Sequence, residues 1–156
     1  MLAEPLKQIP VVAAIEALEP GLLLDGREPH DQLSLWTPAE RIAAVCRFLK
    51  DDQSYQRLSF ITAIDWYPVE PRFEVVYNLH SIERNHWFRL KCKVGGENPE
   101  IDSVTEVWKC ADWYEREVFD LFGIRFRNHP NLRRIMLPED WKGHPLRKDY
   151  PLSGYR

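Results

Sequence analysis

Apolar positions change period several times along this chain, and the changes mark its elements. Val11 to Leu18 repeats with a helical period that Pro20-Gly21 ends. Two short extended runs follow, Leu22 to Asp25 and Gln32 to Trp36, joined through Gly26 and Pro29. Thr37-Pro38-Ala39-Glu40 reads as a T-x-x-E capping box with proline at the first helical position, and Ile42, Val45, Cys46 and Leu49 form one apolar face behind it. After Asp51-Asp52 the period falls to two. Leu58, Phe60, Thr62 and Ile64 alternate with Ser59, Ile61 and Ala63, a strand buried on one face and partly on the other. Phe73 to Leu79 and Trp87 to Val94 give two more strands, with connections short enough for an antiparallel meander that Gly95-Gly96-Glu97-Asn98-Pro99 closes. Ser103 with Glu106, and Asp112 with Glu115, read as capping boxes of two further helices, and Gly123 ends the second as a left-handed C-terminal residue.

The order is helix, two strands, helix, three strands, helices. It predicts an α+β fold, a small mixed β-sheet covered by helices. Residues 1–123 form the body and 124–156 an extended Pro/Arg-rich tail, within a single domain. No repeat, low-complexity segment or linker interrupts it.

The 156 residues, 44% of them apolar, suit one domain with a modest core. The longest apolar runs, such as Val11 to Ile15 and Gly21 to Leu24, fall far short of the roughly 20 residues that cross a bilayer. The N-terminus lacks the basic, apolar and small-residue sequence of a secretion signal, which predicts a cytoplasmic location or one on the membrane's cytoplasmic face. Cys46, Cys92 and Cys110 are odd in number and widely spaced, which argues for reduced, structural thiols.

Charge changes the picture at the C-terminus. From Gly123 to Arg156 eight Lys/Arg face three Asp/Glu, a net +5 on a chain whose total is −3. A basic tail on an acidic body admits a nucleic-acid reading. Here Pro130, Pro138, Pro145 and Pro151 stiffen the segment and Leu, Ile, Met and Trp interrupt the charges, which favours shape-specific docking on protein. The acidic body and the lack of a recognition helix argue against nucleic acid as a partner. With no periodicity of its own, the tail needs a surface to lie on and is expected to order on assembly.

Candidate chemistry is sparse. No C-x-x-C or H-E-x-x-H spacing offers a metal or iron–sulfur site, and no G-x-G-x-x-G or G-x-x-x-x-G-K offers a phosphate cradle. His129 and His144 lie near Glu139, Asp140 and Asp149, the raw material of a small metal-dependent hydrolase. Each histidine is followed by proline, however, Pro130 and Pro145, which favours extended backbone and a structural hydrogen bond over catalysis. No catalytic, cofactor-binding or metal residue is therefore assigned. In the run Glu115-Arg116-Glu117 with Asp120, Arg116 and Asp120 stand four apart on a helix and are spaced to pair. Two readings stay open. One is a solvated helix face with a capping box. The other has Glu115 or Glu117 reaching Arg133, Arg134 or a partner's arginines and so fixing the angle at which the tail leaves. Trp36, Trp66 and Trp87 read as core or core-edge residues, and Trp141, between Asp140 and Lys142, as an interface anchor.

The stretch from Glu115 carries E-R-E, then Asp120-Leu121-Phe122, His129, Arg133 and Ile135-Met136. In residue type and spacing it resembles the signature of the 30 kDa-type subunit family of respiratory complex I, the C-type subunits of the NADH-quinone oxidoreductases. The resemblance is strongest from Asp112 to Leu152 and continues through Asp65-Trp66-Tyr67-Pro68, Phe73 to Leu79 and Ser103 to Trp108. It implies a cofactor-free scaffold subunit of a proton-translocating enzyme, peripheral on the cytoplasmic face of the inner membrane. FMN and iron–sulfur clusters would reside in other subunits. The implied partners are the 49 kDa-type (D) subunit and the B-type and I-type iron–sulfur subunits, so membrane association is indirect. Arg133, Arg134, Arg147 and Lys148 would then pair with partner acids, and Leu137, Trp141, Leu146 and Tyr150 would supply apolar anchors. Ferredoxin-fed and hydrogenase-type relatives remain compatible with the same residues.

Overall fold

The computed structural model describes residues 2–153. Two short helices lead the chain, α1 (Glu4–Lys7) and α2 (Pro10–Leu18), the first unmarked by any sequence period. Strand β1 (Asp25–Arg27) starts where the sequence pattern ends its run, because Leu22 and Leu23 are buried in the connection before it. Strand β2 (Ser34–Trp36) pairs with β1 antiparallel. Helix α3 (Ile42–Asp51) follows a 3₁₀ turn, Ala39–Arg41. Its capping box does not form. The buried Thr37 hydroxyl instead donates to the Leu22 carbonyl at 3.1 Å, tying β2's exit to the N-terminal connection.

Strands β3 (Arg57–Asp65), β4 (Phe73–Ser81) and β5 (His86–Val94) form the antiparallel meander, and β2 joins β5 in parallel. The five-stranded sheet therefore runs β1-β2-β5-β4-β3. Strict alternation in β3 is broken by a bulge, since Leu58 faces Leu79 while Phe60 faces Asn78. The extra residue, Ser59, switches the phase. Leu58, Ile61 and Ala63 are buried, and Phe60 and Thr62 are exposed.

One face of the sheet carries Phe73, Val75, Tyr77 and Leu79 of β4 and Phe88, Leu90, Cys92 and Val94 of β5, all buried. Against it lie Val11, Val12 and Ile15 of α2, Ile42, Val45, Cys46 and Leu49 of α3, and residues of α4 (Ala111–Phe122). Cys46 and Cys92 sit in this core, and Cys110 is exposed. Trp66 and Trp87 are exposed rather than core residues, and Trp108, buried before α4, takes the packing role instead.

Ser103 starts no helix. Strand β6 (Glu100–Asp102) precedes it and pairs in parallel with β7 (Arg125–Arg127), the first part of the tail. Cys110 stands at the N-cap position of α4 and makes no side-chain cap bond, Asp112 lies in the first turn, and Gly123 ends the helix in the left-handed region at φ 74°. A β-carbon on Gly123 would stand 2.5 Å from the His144 ring and 2.6 Å from the Arg147 guanidinium, so glycine here admits both the turn and the tail.

Candidate functional site

Helix α4 places Glu115, Arg116 and Asp120 toward the protein, all buried. Its last four carbonyls have no partner within a helix. In this chain all four are satisfied. The Phe119 carbonyl accepts from the Gly123 N–H at 2.9 Å and the Leu121 carbonyl from the Leu146 N–H at 3.1 Å. The Asp120 carbonyl accepts from His144 Nδ1 at 2.8 Å, and the Phe122 carbonyl from Arg147 Nε at 2.6 Å. Three of these donors belong to the tail, and Arg147 adds a cation at the negative end of the helix dipole. The surface the tail lies on is the chain's own body.

The Asp120 side chain fixes the tail's middle. Oδ1 accepts from Arg134 at 2.9 Å, and Oδ2 from the N–H groups of Ile135, Met136 and Leu137 at 3.1, 2.7 and 3.0 Å. Arg134 also donates to the Gly143 carbonyl at 3.1 Å. Neither Glu115 nor Glu117 reaches Arg133 or Arg134. Arg116 does not pair with Asp120 but donates to the Arg133 carbonyl at 3.3 Å, lies over the Trp113 ring, and approaches Asp112 at 3.9 Å. Glu117 makes no hydrogen bond or ion pair among the described residues.

A second clasp holds the tail's end. Arg72, in the β3–β4 connection, donates to both Asp65 oxygens at 2.9 and 2.8 Å and to Asp149 at 3.1 and 2.6 Å. Asp65 also accepts the Lys148 N–H at 2.8 Å and the Tyr67 N–H at 2.9 Å. Burial works to raise the Asp65 carboxyl, but Arg72 and these N–H groups outweigh it and hold it at about 2. The Arg72 and Arg147 guanidinium groups both stand over the Phe73 ring. Tyr150 closes a turn on the Arg147 carbonyl at 3.0 Å. The sequence pattern does not link Asp65, Arg72 and Asp149, and Asp149 stands out there only beside the histidines. Their pairing joins residues far apart in the chain, and only the D-W-Y-P motif draws notice to Asp65.

At the root of the tail, the His129 imidazole is closed off from solvent against Asp112 and Glu115. Glu115 accepts from the Ser103 hydroxyl at 2.6 Å and the Val104 N–H at 2.7 Å, which replaces its expected capping role. Pro130 follows on the surface.

With its backbone so held, the tail turns apolar side chains outward. Met136 is 61% exposed, Trp141 43% and Leu146 51%, and Trp113 on α4 is 62% exposed. Leu137, Pro145 and Tyr150 are half-buried, while Arg133 and Lys148 are exposed.

The chain matches, over residues 35–156, the family described as the respiratory-chain NADH dehydrogenase 30 kDa subunit. The chain belongs to this family. It is 48% identical to the C-type NADH-quinone oxidoreductase subunit of Geobacter sulfurreducens over 85% of this chain and 82% of that one. Against the C-type subunit of Roseiflexus castenholzii it is 48% identical over 92% of this chain and 83% of the relative. Among solved structures it is similar to a trypsin-resistant fragment of Nqo5, with a TM-score of 0.68 and 29% identity over 77% of this chain and 97% of that one. It is also similar to a chain of the membrane-bound sulfane sulfur reductase, an archaeal respiratory membrane complex, with a TM-score of 0.79 and 26% identity over 91% of this chain and 84% of that one.

One further surface of this family member carries no evident chemistry. A groove of about 830 Å³ crosses the sheet face opposite the helices, between Arg27, Trp36, Trp66 and Pro71. On its floor Glu74 accepts from Trp36 Nε1 at 2.9 Å and Lys91 Nζ at 3.0 Å. Among the described residues no group of three or more His, Cys, Asp or Glu is placed to hold a metal ion, and no helix is long and apolar enough to cross a membrane.

Proposed function

We propose that this chain is an architectural, cofactor-free subunit of the peripheral arm of a proton-translocating NADH-quinone oxidoreductase. Membership of the 30 kDa subunit family and the names of its relatives support the assignment. The observation that carries the architectural role is the tail's construction. Polar clasps fix its backbone to α4 and the β3–β4 corner, while Met136, Trp141 and Leu146 are exposed, as is Trp113 on the same helix. A fixed apolar ridge loses little entropy when a neighbour covers it. In this reading the neighbours are the 49 kDa-type (D) subunit and the B-type and I-type iron–sulfur subunits. Electrons pass from NADH through FMN and iron–sulfur clusters held by other subunits of the complex to quinone, and this chain keeps its neighbours in register. It joins the membrane through the complex, on the cytoplasmic face.

A second reading, the same role in a ferredoxin-fed or hydrogenase-type relative, draws on the likeness to the sulfane sulfur reductase chain. Both are tested by recovering the tagged chain from its own membranes in mild detergent and assaying NADH-quinone activity. Co-recovery of iron–sulfur and D-type subunits with activity supports the first reading, and a hydrogenase-like set the second. Joint replacement of Met136, Trp141 and Leu146 by alanine should cut recovery of neighbours by about tenfold or more while the chain stays folded. Unchanged recovery would overturn the ridge as the docking surface.

A further inference from the structure

The root of the tail holds a buried polar cluster that the docking role leaves unused. The Asn131 N–H donates to His129 Nδ1 at 3.0 Å. The imidazole proton therefore sits on Nε2, which faces the Asp112 carbonyl at 3.2 Å, Asp112 Oδ1 at 3.4 Å and Glu115 Oε2 at 3.9 Å. This N–H is given to the Asp112 backbone carbonyl, so neither carboxyl group holds it as a hydrogen-bond donor. Asp112 Oδ1 is buried without a hydrogen-bond partner, and Glu115, fully buried, has no cation beside it.

Adding a proton to His129 cannot neutralise Glu115 without cost, because that proton would go to Nδ1 and displace the Asn131 N–H. Among the remaining described residues no cation is bonded to Glu115. On α4, Arg116 is committed to the Arg133 carbonyl and Asp112. The segment after β6 offers the hydroxyls of Ser103 and Thr105, and Asp102 is paired with Arg127. The α3 and β4 neighbours are the Cys46 thiol and the Tyr77 hydroxyl, both kept neutral by burial. A hollow of about 220 Å³, lined by Thr105, Glu106, Lys109, Asp112, Asn128 and Pro130, leads from solvent to the Asp112 side, and its charged groups Glu106 and Lys109 lie on that outer side.

We propose that Glu115 and His129 form a proton-operated latch on the root of the tail. With a proton on Glu115 the cluster holds one carboxylate, Asp112, which Arg116 faces at 3.9 Å, and the turn from Asn128 to Asn131 stays closed on α4. When that proton leaves, a second carboxylate stands beside Asp112. The charge is relieved by opening the turn, which admits solvent to the carboxylates and breaks the Asn131 bond. Burial raises the Glu115 carboxyl to about 7, against the lowering effect of the Ser103 and Val104 bonds, and Asp112 adds repulsion. The latch would thus work near neutrality.

The test is nuclear magnetic resonance on the full chain, following the Glu115 side-chain carboxyl carbon and the Asn131 amide across about pH 5 to 9. The expected result is one shared step in the neutral range. Across it, Asn131's protection from exchange should fall by about tenfold after correction for intrinsic base catalysis. Asp112→Asn should move the step to lower pH, and Glu115→Gln should abolish it. A Glu115 titration in the ordinary carboxylate range, or an Asn131 amide that does not follow it, would overturn the latch. The measurement needs no other subunit, so its outcome is separate from that of the docking experiment.

Discussion

Glu115 and Asp120 stand on the same helix, both fully buried, and are compensated in different ways. Asp120 has one full cation, Arg134, and three backbone N–H groups. Glu115 has a hydroxyl, one N–H and a second carboxylate nearby, with no cation. Taking a carboxylate out of water is tolerated when donors and a counter-charge replace the solvent, and otherwise the group keeps its proton. The C-terminal end of α4 is thus a permanent clasp, and the N-terminal end is sensitive to pH.

Breaking the clasp should have the largest effect. Asp120→Ala leaves the Arg134 guanidinium and three N–H groups without their acceptor, and removing one member of such a pair costs about 3–5 kcal/mol. Urea denaturation should show the loss, with faster tryptic cleavage at Arg133 and Arg134. An unchanged midpoint and cleavage rate would mean that Asp120 does not anchor the tail.

The uncompensated end predicts a pH slope. An acid whose folded pKa is raised binds more protons folded than unfolded, so its contribution is present below its ordinary value and lost as pH rises through the folded one. For Glu115 that window runs from about 4.5 to about 7, and the loss is on the order of 2–3 kcal/mol. Thermal melts of wild type and Glu115→Gln across this window should diverge in slope, with the variant flatter. Parallel curves would remove Glu115 as the cause.

Asp65 sharpens the contrast because its sign is opposite. Its folded value of about 2 lies below the ordinary 3.8, so the second clasp is intact above that value and lost as pH falls through about 2. The contribution is at most about 2 kcal/mol. Acid titration of wild type against Asp65→Asn should show an extra unfolding step at low pH in wild type alone. At Gly123, alanine should cost about 1–2 kcal/mol for its left-handed backbone alone, plus whatever His144 and Arg147 yield to its β-carbon. A melting point unchanged by Gly123→Ala would show that the tail does not pack there as described.

Much of the fold could be read from local pattern. The α3 face, the β3–β4–β5 meander and Gly123's left-handed stop all depend on residues within a few positions of one another, and the α+β order follows from them. The bulge at Ser59 was not legible, because alternation holds on either side of it and only the pairing with β4 shows the slip. The capping boxes at Thr37, Ser103 and Asp112 misled for a related reason. Thr37 and Ser103 found the Leu22 carbonyl and Glu115, and Glu115, the expected partner of Asp112, found Ser103 and Val104, none of which local spacing can list. The signature run pointed to the right helix but not to the right pair. Asp120, rather than Glu115 or Glu117, holds Arg134.

By itself the sequence determined the period of each helix and strand, the acidic body and basic tail, and membership of the 30 kDa subunit family, since each rests on neighbouring residues or on their order. Only the tertiary structure decided that the tail caps the end of α4, that Arg72 bridges Asp65 and Asp149, and that Glu115 lies buried without a cation. Those facts depend on which donors remain unsatisfied once the chain has closed on itself, a balance of desolvation and hydrogen bonding set by residues distant in sequence.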